Sequence, residues 1–177
     1  MTDFDGPVFV HSDVGRGLIA LKRKGIRIKP HDICTSILNF LCSLSGDGRR
    51  GIILPAFNYD FGETLTFKPN YDPIQVGAFP EWARVNGDFV RSFIPFFSTL
   101  SMQSNQPYNH QLINPFGPQS VFSQLIRDDG IIVLLGVDIS SMTFIHHVEE
   151  IAGKPCYRYD KSFRGTIFLD DDSSYVC

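Results

Sequence analysis

The sequence has no long apolar run, no excess of positive charge and no pair of cysteines at metal-binding or redox spacing. Its most apolar stretch, residues 131–135, falls far short of the ~20 residues that span a bilayer, and so excludes a helical membrane anchor there. The opening Met1-Thr2-Asp3-Phe4-Asp5 has neither the basic nor the apolar part of a secretion signal, which predicts a cytoplasmic protein without membrane partners. With a net charge of -3 and a pI near 5.9, the chain offers no basic field for nucleic acid. No Walker A sequence is present and no GxGxxG follows a strand, so nucleotide hydrolysis and dinucleotide redox chemistry have no support. Four cysteines are scattered. Cys34 and Cys42 lie eight residues apart on one helical pattern, about 12 Å along its axis and beyond disulfide reach, which predicts free thiols in a reducing compartment.

What is present is an ordinary globular balance. The 177 residues are 43% hydrophobic and 20% charged, with a mean hydropathy of -0.02, which fits one domain over residues 1–177. Phe is over-represented, with 16 copies.

Along the chain, 7–12 reads as a buried strand that enters a glycine-containing loop at 13–17, where a site can open. Six of the sixteen basic residues, Arg16, Lys22, Arg23, Lys24, Arg27 and Lys29, follow within fourteen positions, as a solvated face or as anion ligands. Pro30 opens a helix whose Ile33, Ile37, Phe40, Leu41 and Leu44 share one face, ending at Ser45-Gly46-Asp47-Gly48. Residues 51–55 read as a strand shielded on both faces, and strand, helix, strand is α/β grammar. Residues 56–73 are irregular and aromatic, a candidate pocket wall. A short helix at 76–85 carries Trp82. Residues 93–102 read as a Phe-rich strand interrupted by Pro95. After the turn Asn114-Pro115-Phe116-Gly117-Pro118, Ser120 caps a helix over 121–127. Residues 131–137 read as the most hydrophobic strand, followed by a helix over 142–152 capped by Ser140 or Ser141 and closed by Gly153 and Pro155. A strand at 163–169, a turn at 170–174 and the start of a returning strand form an unfinished hairpin. Either the fold is incomplete at its C-terminus, or 175–177 is a short edge strand.

Thr143-Phe144-Ile145-His146-His147-Val148-Glu149-Glu150 opens the helix that leaves the hydrophobic strand, where open α/β sheets place ligands. On a helix, His146 has Thr143 at i−3, Glu149 at i+3 and Glu150 at i+4. A carboxylate there fixes the imidazole tautomer and makes an oriented general base; an exposed histidine with helical ion pairs is the simpler reading. Adjacent histidines point about 100° apart on a helix, which disfavours metal binding by His146 and His147. The cysteines lack a nucleophile signature.

The ordered segments Val10-His11-Ser12, Leu54-Pro55-Ala56-Phe57-Asn58-Tyr59-Asp60-Phe61, Gly77-Ala78, Val90-Arg91-Ser92-Phe93-Ile94-Pro95-Phe96-Phe97-Ser98, Asn114-Pro115-Phe116-Gly117 and Thr143 to Glu149 together resemble the aminoglycoside 3-N-acetyltransferase family over about residues 7–167. Phe57 to Thr64, with Pro155-Cys156-Tyr157-Arg158-Tyr159 and Phe163-Arg164-Gly165, further resemble members associated with bacterial surface-polysaccharide loci. The resemblance implies a three-layer α/β/α fold with a mixed central sheet. It implies acetyl transfer from acetyl-CoA, without a metal, to a primary amine of an amino sugar, nucleotide-linked or an aminoglycoside antibiotic. Homo-oligomers are compatible with it. His146 then stands as general base and Glu149 as its supporting carboxylate. Ser12, Arg91, Ser92 and Ser98 line the acyl-CoA side, some of the Arg16 to Lys29 cations meet its phosphates, and Tyr59, Asp60 and Glu63 hold the amino sugar. Phe57, Phe61, Phe93, Phe96, Phe97 and Phe144 line the cleft. The sequence departs from the family at Ile94, where a histidine is usual before the proline, and at Ile74, where a serine is expected. A ligand-binding remnant of the family without catalysis is the alternative.

Overall fold

The computed structural model describes residues 6–44, 51–102, 114–169 and 173–176. At its centre lies β1 (Val8–Ser12), whose first four residues are all buried. Such a strand needs a layer on each face, and the alternation of its side chains supplies both. Val8 and Val10 enter one apolar cluster with Ile52, Leu54 and Leu100, whereas Phe9 enters a second with Ile53 and Phe122.

The strand β1 pairs in parallel with β2 (Ile52–Pro55) on one side and with β6 (Ile131–Leu135) on the other. Beyond β2, β5 (Thr99–Met102) and β4 (Phe89–Arg91) run antiparallel, giving a mixed five-stranded sheet in the order β4-β5-β2-β1-β6. Against the Val8 face pack α1 (Val14–Arg23), α2 (Pro30–Leu44) and α4 (Ala78–Asn86) through Val14, Cys34, Leu41, Phe79 and Ala83. Against the Phe9 face pack α5 (Val121–Arg127) and α6 (Phe144–Ile151) through Val121, Phe122, Leu125 and Phe144. The result is the expected α/β/α sandwich. A small second sheet, β3-β7-β8 (Thr66–Phe67, Thr166–Phe168, Ser174–Val176), closes over Phe61, Phe67 and Ile167, with α3 (Phe61–Thr64) beside it.

Several expectations are corrected. Residues 13–17 do not form a loop: Asp13 accepts a hydrogen bond from the Arg16 amide (3.0 Å) and caps α1, which starts at Val14. The cap and the packing of α1 on α2 together offset the helix cost of Gly15 and Gly17. On α2, Cys34 and Leu41 are buried, but Phe40 and Leu44 are 50% and 39% exposed. The supposed Phe-rich strand is two strands, β4 and β5, joined by a loop at 92–98 that turns at Pro95. The strand β6 is not the most buried but lies at an edge of the sheet, with Ile131 exposed. Ser140 and Ser141 do not cap α6: they lie in a 3-10 turn, Ile139–Ser141, capped by Asp138, and α6 starts only at Phe144. The terminal hairpin closes over all three residues of β7. Residues 45–48, 170–172 and Cys177 lie outside the described residues, and Cys34, Cys42 and Cys156 form no disulfide. Among the described residues no helix is long and apolar enough to cross a membrane.

Phe9 is fully buried, with its ring 5.4 Å from that of Phe122. Phe9→Ala is expected to cost about 3–5 kcal/mol, read from the urea midpoint and slope; a loss below about 1 kcal/mol would contradict its place in the core.

Candidate active site

The carboxyl ends of β1 and β6 meet the start of α1 and the approach to α4. The Asp13 amide donates to the Leu135 carbonyl at 2.8 Å. Two left-handed glycines allow the chains to come this close. Gly136 (φ 71°) would carry a Cβ 3.0 Å from the Asp13 carbonyl oxygen, and Gly77 (φ 124°) one 3.3 Å from that of Ser12, so side chains there are excluded. In this crowded corner Ser12 Oγ is buried and makes no hydrogen bond among the described residues. A buried hydroxyl left unpaired costs about 1–3 kcal/mol, and a ligand amide or carbonyl would remove that cost. Of the basic cluster, Arg16 is committed nearby: it pairs with Asp13 (3.3 Å) and reaches the Gly136 carbonyl. Lys22, Arg23, Lys24, Arg27 and Lys29 are exposed along and beyond α1.

On the opposite face of β1, His11 is buried against the Phe9 ring, and its Nε2 lies 3.2 Å from Thr143 Oγ1. Thr143 therefore does not offer its hydroxyl to His146, as helical spacing suggested, but ties the start of α6 to β1. Burial lowers the His11 pKa to about 4, which keeps the ring neutral. His147, also buried, donates from Nδ1 to the Phe116 carbonyl at 2.6 Å. His146 and His147 thus face different partners.

His146 points the other way along α6, with its side chain 41% exposed. Its Nδ1 lies 3.3 Å from Glu149 Oε2, and its Nε2 has no partner among the described residues. Glu149 is held below the usual carboxylate range chiefly by the Tyr157 hydroxyl, then by His146 and Arg158. Of the two carboxylates that spacing allowed, Glu149 is the partner. Glu150 instead accepts from Asn114 Nδ2 (2.9 Å) and faces Lys154 (3.7 Å).

A run of aromatic rings leads from His146 to the expected sugar-binding residues. His146 meets the edge of Phe116, Phe116 tilts against Phe97, Phe97 against Phe57, and Phe57 against Tyr59, with centroids 5.2, 4.5, 5.0 and 6.4 Å apart. Tyr59 and Asp60 are exposed, and Gln75 links them by accepting from the Tyr59 amide (2.7 Å) and donating to Asp60 Oδ1 (2.8 Å). Glu63 is exposed on α3. Phe61, Phe93 and Phe96 do not join this wall but pack on the small sheet.

Arg91, Ser92 and Ser98 occupy the interior. Arg91 is 2% exposed, lies over the Phe67 ring (4.8 Å), and donates to Ser98 Oγ, to the Asp72 and Pro69 carbonyls and to that of Ala56. Ser98 also donates to Ala56, and Ser92 Oγ accepts from the Thr99 amide. Their hydrogen bonds are spent on the 56–73 segment and on the β4–β5 turn, so they shape the wall that carries Tyr59 and Asp60. Ile74 is buried with its amide on Glu81, and Ile94 is half-buried. Sequence spacing brought out the His146–Glu149 pair but missed His11, Asn114, Tyr157 and Arg158, whose contacts are made across the fold.

Two outcomes are expected. The unfolded chain binds a proton on His11 below the ordinary pKa near 6.5, while the folded chain refuses it until about 4. The stability from the neutral ring is therefore complete above that ordinary value and lost as pH falls through the window, by up to about 3 kcal/mol. His11→Gln should flatten this dependence when urea midpoints are compared at about pH 7 and pH 5; an unchanged slope against pH would contradict it. Arg91→Lys, which cannot span the same carbonyls, should cost about 2–4 kcal/mol by the same measurement.

The fold and the chain have known counterparts. Aminoglycoside N(3)-acetyltransferase VII of Streptomyces paromomycinus is 31% identical over 100 residues, which are 51% of this chain and 35% of that protein. Among solved structures, aminoglycoside acetyltransferase AAC(3)-Xa matches with a TM-score of 0.75 at 20% identity, over 98% of this chain and 64% of that one. AAC-IIIb, solved with CoASH, matches with a TM-score of 0.72 at 18% identity, over 98% and 68%. The YokD protein of Bacillus subtilis matches with a TM-score of 0.68 at 17% identity, over 97% and 69%. The chain thus spans about a third of the curated relative and about two thirds of the solved ones. Residues 57–176, which include His146, Glu149 and the aromatic run, match the family model described as aminoglycoside 3-N-acetyltransferase, and the chain belongs to that family.

Proposed function

We propose that the chain transfers the acetyl group of acetyl-CoA to a primary amine of an amino sugar, with His146 as general base. The observation that carries this reading is the half-exposed imidazole whose Nδ1 faces Glu149 at 3.3 Å while Nε2 is unspent. Glu149 accepts a hydrogen bond from Nδ1–H and fixes the tautomer, so the lone pair sits on Nε2. That nitrogen takes the proton from the amine as it attacks the thioester carbonyl. The new C–N bond forms, the C–S bond breaks, and the proton passes on to the departing thiolate, giving the amide and CoA thiol. Such a base contributes typically ~10²–10⁴-fold.

The acyl donor lies, in this reading, along the carboxyl end of β1. Ser12 Oγ, buried and unpartnered, fits an amide-bearing pantetheine chain, and AAC-IIIb has been solved with CoASH. Arg91, Ser92 and Ser98 hold the wall that carries Tyr59 and Asp60, and the exposed cations from Lys22 to Lys29 are available to phosphates. Tyr59, Asp60 and Glu63 take the sugar, their carboxylates suiting a cationic or hydroxylated acceptor. The segments 57–64 and 155–165 favour an amino sugar of surface-polysaccharide assembly over an antibiotic, although AAC(3)-IVa was solved with apramycin and with a gentamicin. Dependence on acetyl-CoA makes the cytoplasm the place of reaction, and no metal takes part.

Acetyl-CoA and amino-sugar nucleotides or aminoglycosides, followed by release of free thiol, test the proposal. Turnover is expected in the wild type, with His146→Ala lowering kcat by roughly 10²-fold or more and leaving CoA affinity unchanged. CoA binding without thiol release from any of these acceptors would instead favour a ligand-binding remnant.

A further inference from the structure

Glu149 is secured by two residues from outside its helix. Arg158 Nη1 donates to Glu149 Oε2 and to the main-chain carbonyl of His146, both at 2.9 Å. The oxygen it binds is the one that faces His146 Nδ1. Tyr157 donates its hydroxyl to the other oxygen, Oε1. The Arg158 guanidinium also lies 5.5 Å from the centroid of Phe116, whose ring meets the edge of His146. The other charged groups nearby are committed elsewhere: Glu150 to Asn114 and Lys154, and Lys154 to Asp160 at 2.7 Å.

An i, i+3 contact between a glutamate and a histidine on a half-exposed helix is weak by itself. Such a contact leaves the carboxylate free to rotate into solvent and the imidazole free to exchange tautomers. With Oε1 and Oε2 each held from the 157–158 segment, that freedom is removed. We infer that Arg158 and Tyr157 are positioning residues, which hold Glu149 in the rotamer that keeps His146 in its Nδ1–H form and Nε2 open. The kinetic side of this inference rests on the acetyl-transfer reading, and the structural side does not. It also makes the placement of Tyr157 and Arg158 a condition for the placement of Glu149.

Long-range proton–nitrogen spectra of the 15N-labelled chain, recorded at about pH 8.5 where imidazoles are neutral, distinguish the two ring tautomers. His146 is assigned by its loss in His146→Gln. The wild type is expected to show Nδ1–H alone, Glu149→Gln and Arg158→Met both forms, and Arg158→Lys and Tyr157→Phe intermediate mixtures. In thiol release, Arg158→Met should lower kcat roughly tenfold with KM within about twofold, and Arg158→Lys should recover part of the loss. A mere structural staple would shift the thermal midpoint but not the tautomer. The inference is overturned if Arg158→Met keeps the wild-type tautomer, or if the wild type itself is not Nδ1–H. Should Arg158→Met fail to fold, the Lys and Phe variants decide by the same spectra. Absence of thiol release from the wild type would defeat the transfer reading while leaving the tautomer result standing.

Discussion

The parallel pairing of β1 with β2 and β6 is the constraint on which the rest depends. With a hydrogen-bonded neighbour at each edge and helices packed on each face, β1 lets its alternating Val8, Phe9 and Val10 seed two apolar clusters at once. Parallel strands require crossovers, and the crossovers here are the helices that become the outer layers. The same pairing brings the carboxyl ends of β1 and β6 together. There the residues that follow the last apolar position, His11, Ser12 and Asp13, point one to each layer and one into the helix cap.

Function follows from that division. His11 reaches the α6 layer and anchors Thr143, so the helix that carries His146 is tied to the sheet as well as to α5, where Phe122 meets Phe144 and His147. Ser12 stays on the opposite face with an unsatisfied hydroxyl. Between His146 and the Tyr59–Asp60 segment runs a wall of phenylalanine rings, which explains part of the unusual Phe content. A wall of this kind excludes water and strengthens the few charged contacts made beside it. The carboxylate of Glu149 lies at its end, shared between His146, Tyr157 and Arg158.

Much of this was legible in the sequence where local pattern decides the outcome. The buried strands at Val8 and Ile52, the helix after Pro30 and the capped helix after Ser120 follow from apolar period and turn chemistry. Helical spacing puts Glu149 and Glu150 both within reach of His146, and the structure selects Glu149. What failed was of two kinds. Gly15 and Gly17 suggested a loop because a cap and packing on α2 override low propensity, and only the cap residue Asp13 hinted at it. The apolar run at Ile131 suggested a central strand because hydrophobicity does not count hydrogen-bonded neighbours, and β6 has one. The partners of Glu149, and the internal commitment of Arg91 to carbonyls at Ala56, Pro69 and Asp72, are long-range contacts with no local signature.

The central claim is that the carboxyl end of β1, at Ser12, receives the acyl donor of the reaction proposed for His146. Calorimetric titration of CoA into the wild-type chain, Ser12→Val and His146→Ala tests it most directly. The account predicts one site per chain, an affinity weakened roughly tenfold or more by Ser12→Val through loss of the only unpaired buried hydroxyl among the described residues, and unchanged binding in His146→Ala. Equal affinity in the wild type and Ser12→Val, or no binding by the wild type, would contradict it.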